Sequence, residues 1–243
     1  MSKRPAYKRP YSKSTRKMYK KTSKRAPSNK TLAKKVKHIE NDLMELKYFD
    51  YSFGPTNVTN TGVILEGQML ITQGDTASTR TGNKINPTSL QLRCGLNTID
   101  ATLIPVKVRM IAYWDRQANG ASSVLANINN GVLDNTTITS IVYAPRNLNT
   151  VDRYTIVYDK VFVFNPTAWT SYTSGTPNAV DTAFPIEKYI SKAFKLGRQV
   201  RYDTNTGAVA DLVSNAFYIA FASDVAADYP VIEGGIRLYF RDS

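Results

Sequence analysis

The chain has one cysteine, Cys94, and one histidine, His38, so several kinds of chemistry are poorly served from the outset. A single thiol cannot close an internal disulfide, and nothing here calls for an oxidising compartment. A His/Cys zinc site, a Cys–His pair and a Ser-His-Asp triad all need more of these residues than are present. Cys94 reads as a small apolar core residue, and His38 as a solvated residue on the polar side of a basic helix. No apolar run approaches the roughly 18–20 residues of a membrane span, and the N-terminus lacks the apolar stretch of a secretory signal. Asn57-Val58-Thr59 and Asn135-Thr136-Thr137 match the glycosylation pattern, but without a secretory route they read as coincidence. A phosphate-binding Gly-Lys-Ser/Thr loop is also missing, because Gly74 and Gly82 are wrongly spaced and Asn83-Lys84 follows them. The expectation is a soluble protein made inside a cell, without catalytic residues or a cofactor.

Acidic residues are absent from the first 39 positions; the first is Glu40. Residues 1–37 hold fifteen of the 32 Lys and Arg, which leaves 17 bases against 19 acids, a net of −2, for the remainder. The formal charge of +13 therefore describes a near-neutral body with a cationic tail. Residues 1–28 form a low-complexity arm with a crude repeat, Lys3-Arg4-Pro5-Ala6-Tyr7-Lys8 and then Lys8-Arg9-Pro10-Tyr11-Ser12-Lys13. So few apolar residues cannot offset the ordering entropy, and the expectation is disorder until a polyanion neutralises the charge.

Dense positive charge neutralises phosphates and releases their counterions without needing exact spacing. The candidate nucleic-acid-binding residues are Lys3, Arg4, Lys8, Arg9, Lys13, Arg16, Lys17, Lys20, Lys21, Lys24, Arg25, Lys30, Lys34, Lys35 and Lys37. Tyr7, Tyr11 and Tyr19 lie among them and can stack on unpaired bases, a contact suited to single strands. A solvated tail is the plainer alternative. A nuclear-import signal read by a host receptor is a compatible second role, served by Lys20-Lys21 and Lys24-Arg25.

Residues 29–47 read as an amphipathic helix, capped by Ser28 or Asn29 with Pro27 just outside. Leu32, Val36, Ile39, Leu43 and Leu46 recur at spacings of 4, 3, 4 and 3 and make a heptad-like self-association seam. About 28 Å of helix is marginal alone, so the seam needs a partner, either its own domain or neighbouring copies.

From residue 47 the period changes from helical to two. Phe49, Tyr51 and Phe53 alternate with polar neighbours; 63–71 is a second apolar run. Leu90, Leu92, Cys94 and Leu96 share one face, with Gln91 and Arg93 on the other. Val106, Val108, Met110, Ala112 and Trp114 do the same, opposite Lys107 and Arg109. Residues 154–164 are β-branched or aromatic on both faces, as in a strand covered on both sides. A long basic segment at 189–202, with Gly197 as a break, and the alternating 217–221 and 236–240 complete about eight strands. No regular helices separate them, so a parallel sheet is unfavoured. Long loops at 72–87, 127–135 and 170–185 favour an eight-stranded antiparallel jelly-roll sandwich over residues 48–243, ahead of an immunoglobulin sandwich.

The order of basic arm, short helix and strand, followed by the turn Arg80-Thr81-Gly82-Asn83-Lys84-Ile85 and Leu90-Gln91-Leu92-Arg93, carries a family resemblance. With the later Val108-Arg109-Met110-Ile111-Ala112-Tyr113-Trp114-Asp115-Arg116-Gln117 segment, the chain resembles the single jelly-roll capsid proteins of small circular single-stranded DNA viruses and of satellite tobacco necrosis virus. Eleven Lys against four Arg through residue 37 tilt the likeness towards the second branch, since circovirus arms are denser in arginine. The resemblance implies a virion shell of about 60 identical subunits in the smallest (T=1) icosahedral arrangement, with arms pointing inward. It implies a packaged single-stranded genome, DNA favoured over RNA, no membrane partner, and a stay in the host nucleus or cytoplasm before assembly. Asp75, Asp134, Asp181 and Asp203 are the candidates for calcium at subunit contacts, though each also reads as an ordinary turn residue. The competing class is a cellular nucleic-acid-binding protein with a β-sandwich domain. That class should show base-reading features or a cationic face on the body, whereas the body is net negative. A sugar-binding or enzyme-like jelly roll would leave the arm unexplained.

Overall fold

The computed structural model of the protein describes residues 45–98, 105–127, 129–136, 138, 140–165, 187–227 and 229–242. Residues 30, 32–36 and 39, and four two-residue strands between 168 and 183, are also described. The chain divides into two units, Met1–Glu40 and Asn41–Ser243. Strands make up the second: β1 (Leu46–Asn57), β2 (Val63–Leu65), β3 (Lys84–Asn97), β4 (Val106–Asp115), β5 (Tyr154–Phe164), β6 (Ala168–Trp169), β7 (Tyr172–Thr173), β8 (Thr176–Pro177), β9 (Thr182–Ala183), β10 (Glu187–Lys195), β11 (Val200–Tyr202), β12 (Leu212–Ser214), β13 (Ala216–Ser223) and β14 (Val231–Asp242).

Pairing defines the winding. β1 pairs with β14, β2 with β13, β3 with β10 and β4 with β5, all antiparallel. First with last, second with second-last and so inward is what results when one long antiparallel ribbon is rolled up, and that is the jelly roll. Sheet A runs β1-β14-β3, with β10 and β11 both pairing β3 and β12 beyond β11; sheet B runs β2-β13-β4-β5.

The alternation read in the sequence sets the core between the sheets. Leu90, Leu92, Cys94 and Leu96 of β3 face Val108, Met110, Phe217, Ile219 and Phe221 of sheet B, all fully or almost fully buried. Each large apolar side chain so buried contributes about 1.5–3 kcal/mol. Phe217 links the layers, its ring 5.1 Å from Trp114 within sheet B and 5.5 Å from Phe194 of sheet A. Burial pushes the Cys94 thiol up to about 12, which keeps it protonated and unreactive.

Four expectations are corrected. Leu46 and Lys47 do not end the helix but begin β1, opposite Arg241 and Phe240, because Lys47 finds buried ionic and hydrogen-bond partners on the body. The apolar run at 63–71 is a three-residue strand followed by a 3₁₀ turn at Gly67–Met69, which places Gln68 and Met69 inside. Two short ladders stand where a loop was expected at 170–185: β7 with β8 lies inside that range, and β6 with β9 joins it to residues 168–169. Finally, β5 is the edge of sheet B, so its outward Val157, Val161 and Val163 are exposed rather than covered. The break expected near Gly197 does separate β10 from β11.

β4 is buried on both faces. The described residues between 116 and 153 form a roof over the outer side of sheet B, with Leu125, Val132, Leu133, Ile141 and Ala144 buried within it. Arg109 fixes the roof: its Nη1 donates to the carbonyls of Ile141 at 3.1 Å and Ala144 at 2.6 Å. Its Nε and Nη2 donate to the Asp159 carboxylate at 2.8 and 2.7 Å. A second clamp joins Arg153 to the fully buried Asp115 at 3.0 and 2.7 Å. Arg109→Met should keep the apolar volume but strand these acceptors. Urea unfolding should show a loss of about 3 kcal/mol, and an unchanged midpoint would mean that the roof is held by packing alone.

Candidate nucleic-acid interface

Of the predicted arm residues, Lys3 through Arg25 and Tyr7, Tyr11 and Tyr19 lie outside the described residues, as do Lys37, His38 and Leu43. Lys30, Lys34 and Lys35 are on helical backbone and exposed. Leu32, Val36 and Ile39 are also helical, and are 45%, 53% and 58% exposed. At i, i+4 and i+7 these three form one stripe, with Lys30 and Lys34 on the opposite side. Leu46 does not join that stripe; it stands at the start of β1, 54% exposed.

The strands of the body begin at Leu46–Lys47, and this junction is clamped. Lys47 is almost fully buried, and its ammonium lies 2.8 Å from the Asp242 carboxylate. It also donates to the Thr79 carbonyl at 3.1 Å and the Thr81 hydroxyl at 2.9 Å. Thr81 donates to the same carboxylate through its hydroxyl at 2.9 Å and its amide at 3.2 Å. The start of β1, the 72–83 loop and the end of β14 are thereby joined by one ion pair that water reaches only from one side.

Sheet A, unlike β4 and β13 of sheet B, presents an exposed outer face. Cross-strand partners share a face, and the register aligns Tyr48 with Tyr239, Asp50 with Arg237 and Gln91, and Ser52 with Gly235 and Arg93. Lys84, Arg93, Lys195, Arg201, Arg237 and Arg241 lie on this side, against Asp50, Glu187 and Glu233. Six bases to three acids is an excess that the body's net charge conceals. Arg237 donates to both oxygens of Asp50 at 2.6 Å and lies 5.0 Å from the Tyr48 ring centroid. The hydrogen bond from Arg237 holds the Asp50 carboxyl below its usual range. Both partners are about half exposed, so the pair orients the guanidinium more than it stabilises the fold. Arg93 is exposed and, among the described residues, has no ion-pair or hydrogen-bond partner.

This basic face was missed in the sequence. Gln91 and Arg93 could be placed opposite the core, and so could Arg237 and Arg241, but nothing local shows that β14 lies beside β3. Other candidates stay apart. Asp75 and Asp203 are exposed and Asp134 is half-buried; they are not brought together as ligands, and Asp181 lies outside the described residues. Hydrogen bonds from the Thr136 hydroxyl and amide hold Asp134 below the usual carboxylate range, as in an ordinary Asx turn. Among the described residues, no three His, Cys, Asp or Glu side chains gather as metal ligands.

Lys47→Met should leave the Asp242 carboxylate and the Thr79 carbonyl without their shared donor. The expected result is a loss of about 2 kcal/mol in thermal or urea unfolding, together with faster amide hydrogen exchange at residues 46–50. Unchanged exchange there would show that backbone pairing alone secures the junction.

A family model described as satellite tobacco necrosis virus coat protein matches residues 18–231 of the chain, taking in the last part of the basic segment and the sandwich up to the start of β14. No curated protein matches it.

Proposed function

The chain belongs to that coat-protein family, and from this premise we propose that it assembles into a small closed shell of about 60 copies and packages a single-stranded genome through its basic arm. Its place is the virion, and its role is structural. One observation carries the packaging half: fifteen Lys and Arg and no acid in residues 1–37. Sixty such arms would supply about 900 positive charges to one enclosed volume, enough to offset much of a kilobase-sized strand. A solitary cellular protein has no use for such a total, so the cellular nucleic-acid-binding alternative is not favoured.

Light scattering on purified full-length protein should find closed particles of many subunits; a monomer under all conditions of salt and pH would defeat the assembly reading. Deleting residues 2–28 should leave the sandwich folded but remove most of the nucleic-acid absorbance from the particles. Unchanged content would move packaging away from the arm. Sensitivity of the packaged strand to DNase or to RNase decides between DNA, the reading taken from the sequence resemblance, and RNA.

The helical stripe is read as a contact between copies clustered around a threefold axis, because Leu32, Val36 and Ile39 leave an apolar face exposed at heptad-like spacing. Replacing Ile39 and Leu43 by Asp would converge like charges on that axis, each costing several kcal/mol if buried unpaired. Assembly should fail while circular dichroism keeps its β-signature. Normal assembly with unchanged stability would place the stripe in solvent.

A further inference from the structure

The outer face of sheet A carries a second feature besides its charge. Gly234 and Gly235 follow one another in β14 for different reasons. A β-carbon on Gly234 would collide with the Arg93 carbonyl oxygen and with Cys94, so this glycine lets β14 lie close against β3. A β-carbon on Gly235 would meet only the Tyr51 carbonyl oxygen, 3.7 Å away, so packing does not demand glycine there. The missing side chain instead opens a depression of about 390 Å³, walled by Asp50, Ser52, Gln91, Arg93 and Arg237.

We propose that this depression binds a phosphodiester group of the packaged strand, with the Arg93 guanidinium as principal donor and the Tyr48–Tyr239 pair as a stacking surface for an adjacent base. The proposal rests on the reading that the shell packages nucleic acid. Arg93 stands directly across from Gly235, and Arg237 is its diagonal neighbour, about 7–8 Å away between the strands. Asp50 occupies Arg237 in a two-point ion pair and fixes its direction, whereas Arg93 is unpartnered among the described residues. One guanidinium is therefore free to make the forked contact that phosphate oxygens accept. Gln91 and Ser52 add neutral donors that a phosphate can use at no further cost in charge. Tyr48 and Tyr239 sit one row along the same face, and phosphate donors next to ring surface match the alternation of phosphate and base in a single strand. The location fits as well. β1 forms one wall and is the first strand after the basic segment in the sequence.

Arginine-specific modification with peptide mass spectrometry tests this on the full chain, with and without oligothymidylate, the oligomeric state being matched by light scattering. Arg93 should react several-fold more slowly when the oligonucleotide is present, while the exposed Arg116, on the side of the roof, reacts equally in both. Arg93→Gln should lower the slope of log affinity against log salt by about 0.7, the loss of one single-strand phosphate contact. Gly235→Ala adds a β-carbon that comes no closer than 3.7 Å to the Tyr51 carbonyl, narrows the depression and should weaken binding at fixed salt. Equal reactivity of Arg93 in both samples, with oligonucleotide bound, overturns this site and leaves the packaging reading intact. No binding of oligonucleotide by the full chain overturns the packaging reading itself.

Discussion

A buried guanidinium has to find acceptors, and Arg109 finds them in the roof. Its place on the outward side of β4 would be a liability in an open sheet, since an unpaired charge beneath apolar cover costs several kcal/mol. The carbonyls of Ile141 and Ala144 and the Asp159 carboxylate meet that demand from one side and the other. Once the roof is fixed there, sheet B has no free outer surface over β4 or β13. Sheet A is left as the broad β-surface that faces solvent. The asymmetry between the two sheets, and with it the position of the basic face, follows from where the connection between β4 and β5 settles.

Charge is likewise divided between two kinds of carrier. The segment through residue 37 holds its bases at high density along the chain, an arrangement that attracts a polyanion without regard to geometry. On the sheet the bases are few but fixed, each set by register and, at Arg237, by a carboxylate neighbour. At physiological salt a charge is screened beyond about 8 Å, so isolated surface arginines act only on what is already close. Dense charge along a chain and sparse charge on a fixed surface are thus suited to different tasks, the one to drawing a polyanion in and the other to placing it.

Much of this was legible in the sequence, and what was not has physical causes. Alternation placed Leu90, Leu92, Cys94 and Leu96 inside, and likewise the apolar side of β4, because a period of two is a local property of the backbone. It could not show that Arg109 and Tyr113 on the other side of β4 would be roofed, since that depends on a loop whose residues carry no period. The same limit misled the reading of β5, whose valines suggested cover on both sides and belong instead to a sheet edge. Leu46 extended a helical spacing by coincidence, and Lys47 looked like one more surface cation until Asp242 appeared beside it. The basic face escaped notice for a different reason: a net of −2 over the body averages across strands whose adjacency only the fold supplies.

The ion pair between Lys47 and Asp242 also says something about how the chain could be rewired. It holds the first strand of the sandwich against the last, so the points where the body begins and ends in sequence are neighbours in space. A basic segment transplanted from before Leu46 to after Asp242 would leave the body at the same corner. So would a peptide or enzyme fused there. Strand order, rather than direction of synthesis, decides where such a fusion leaves the sandwich.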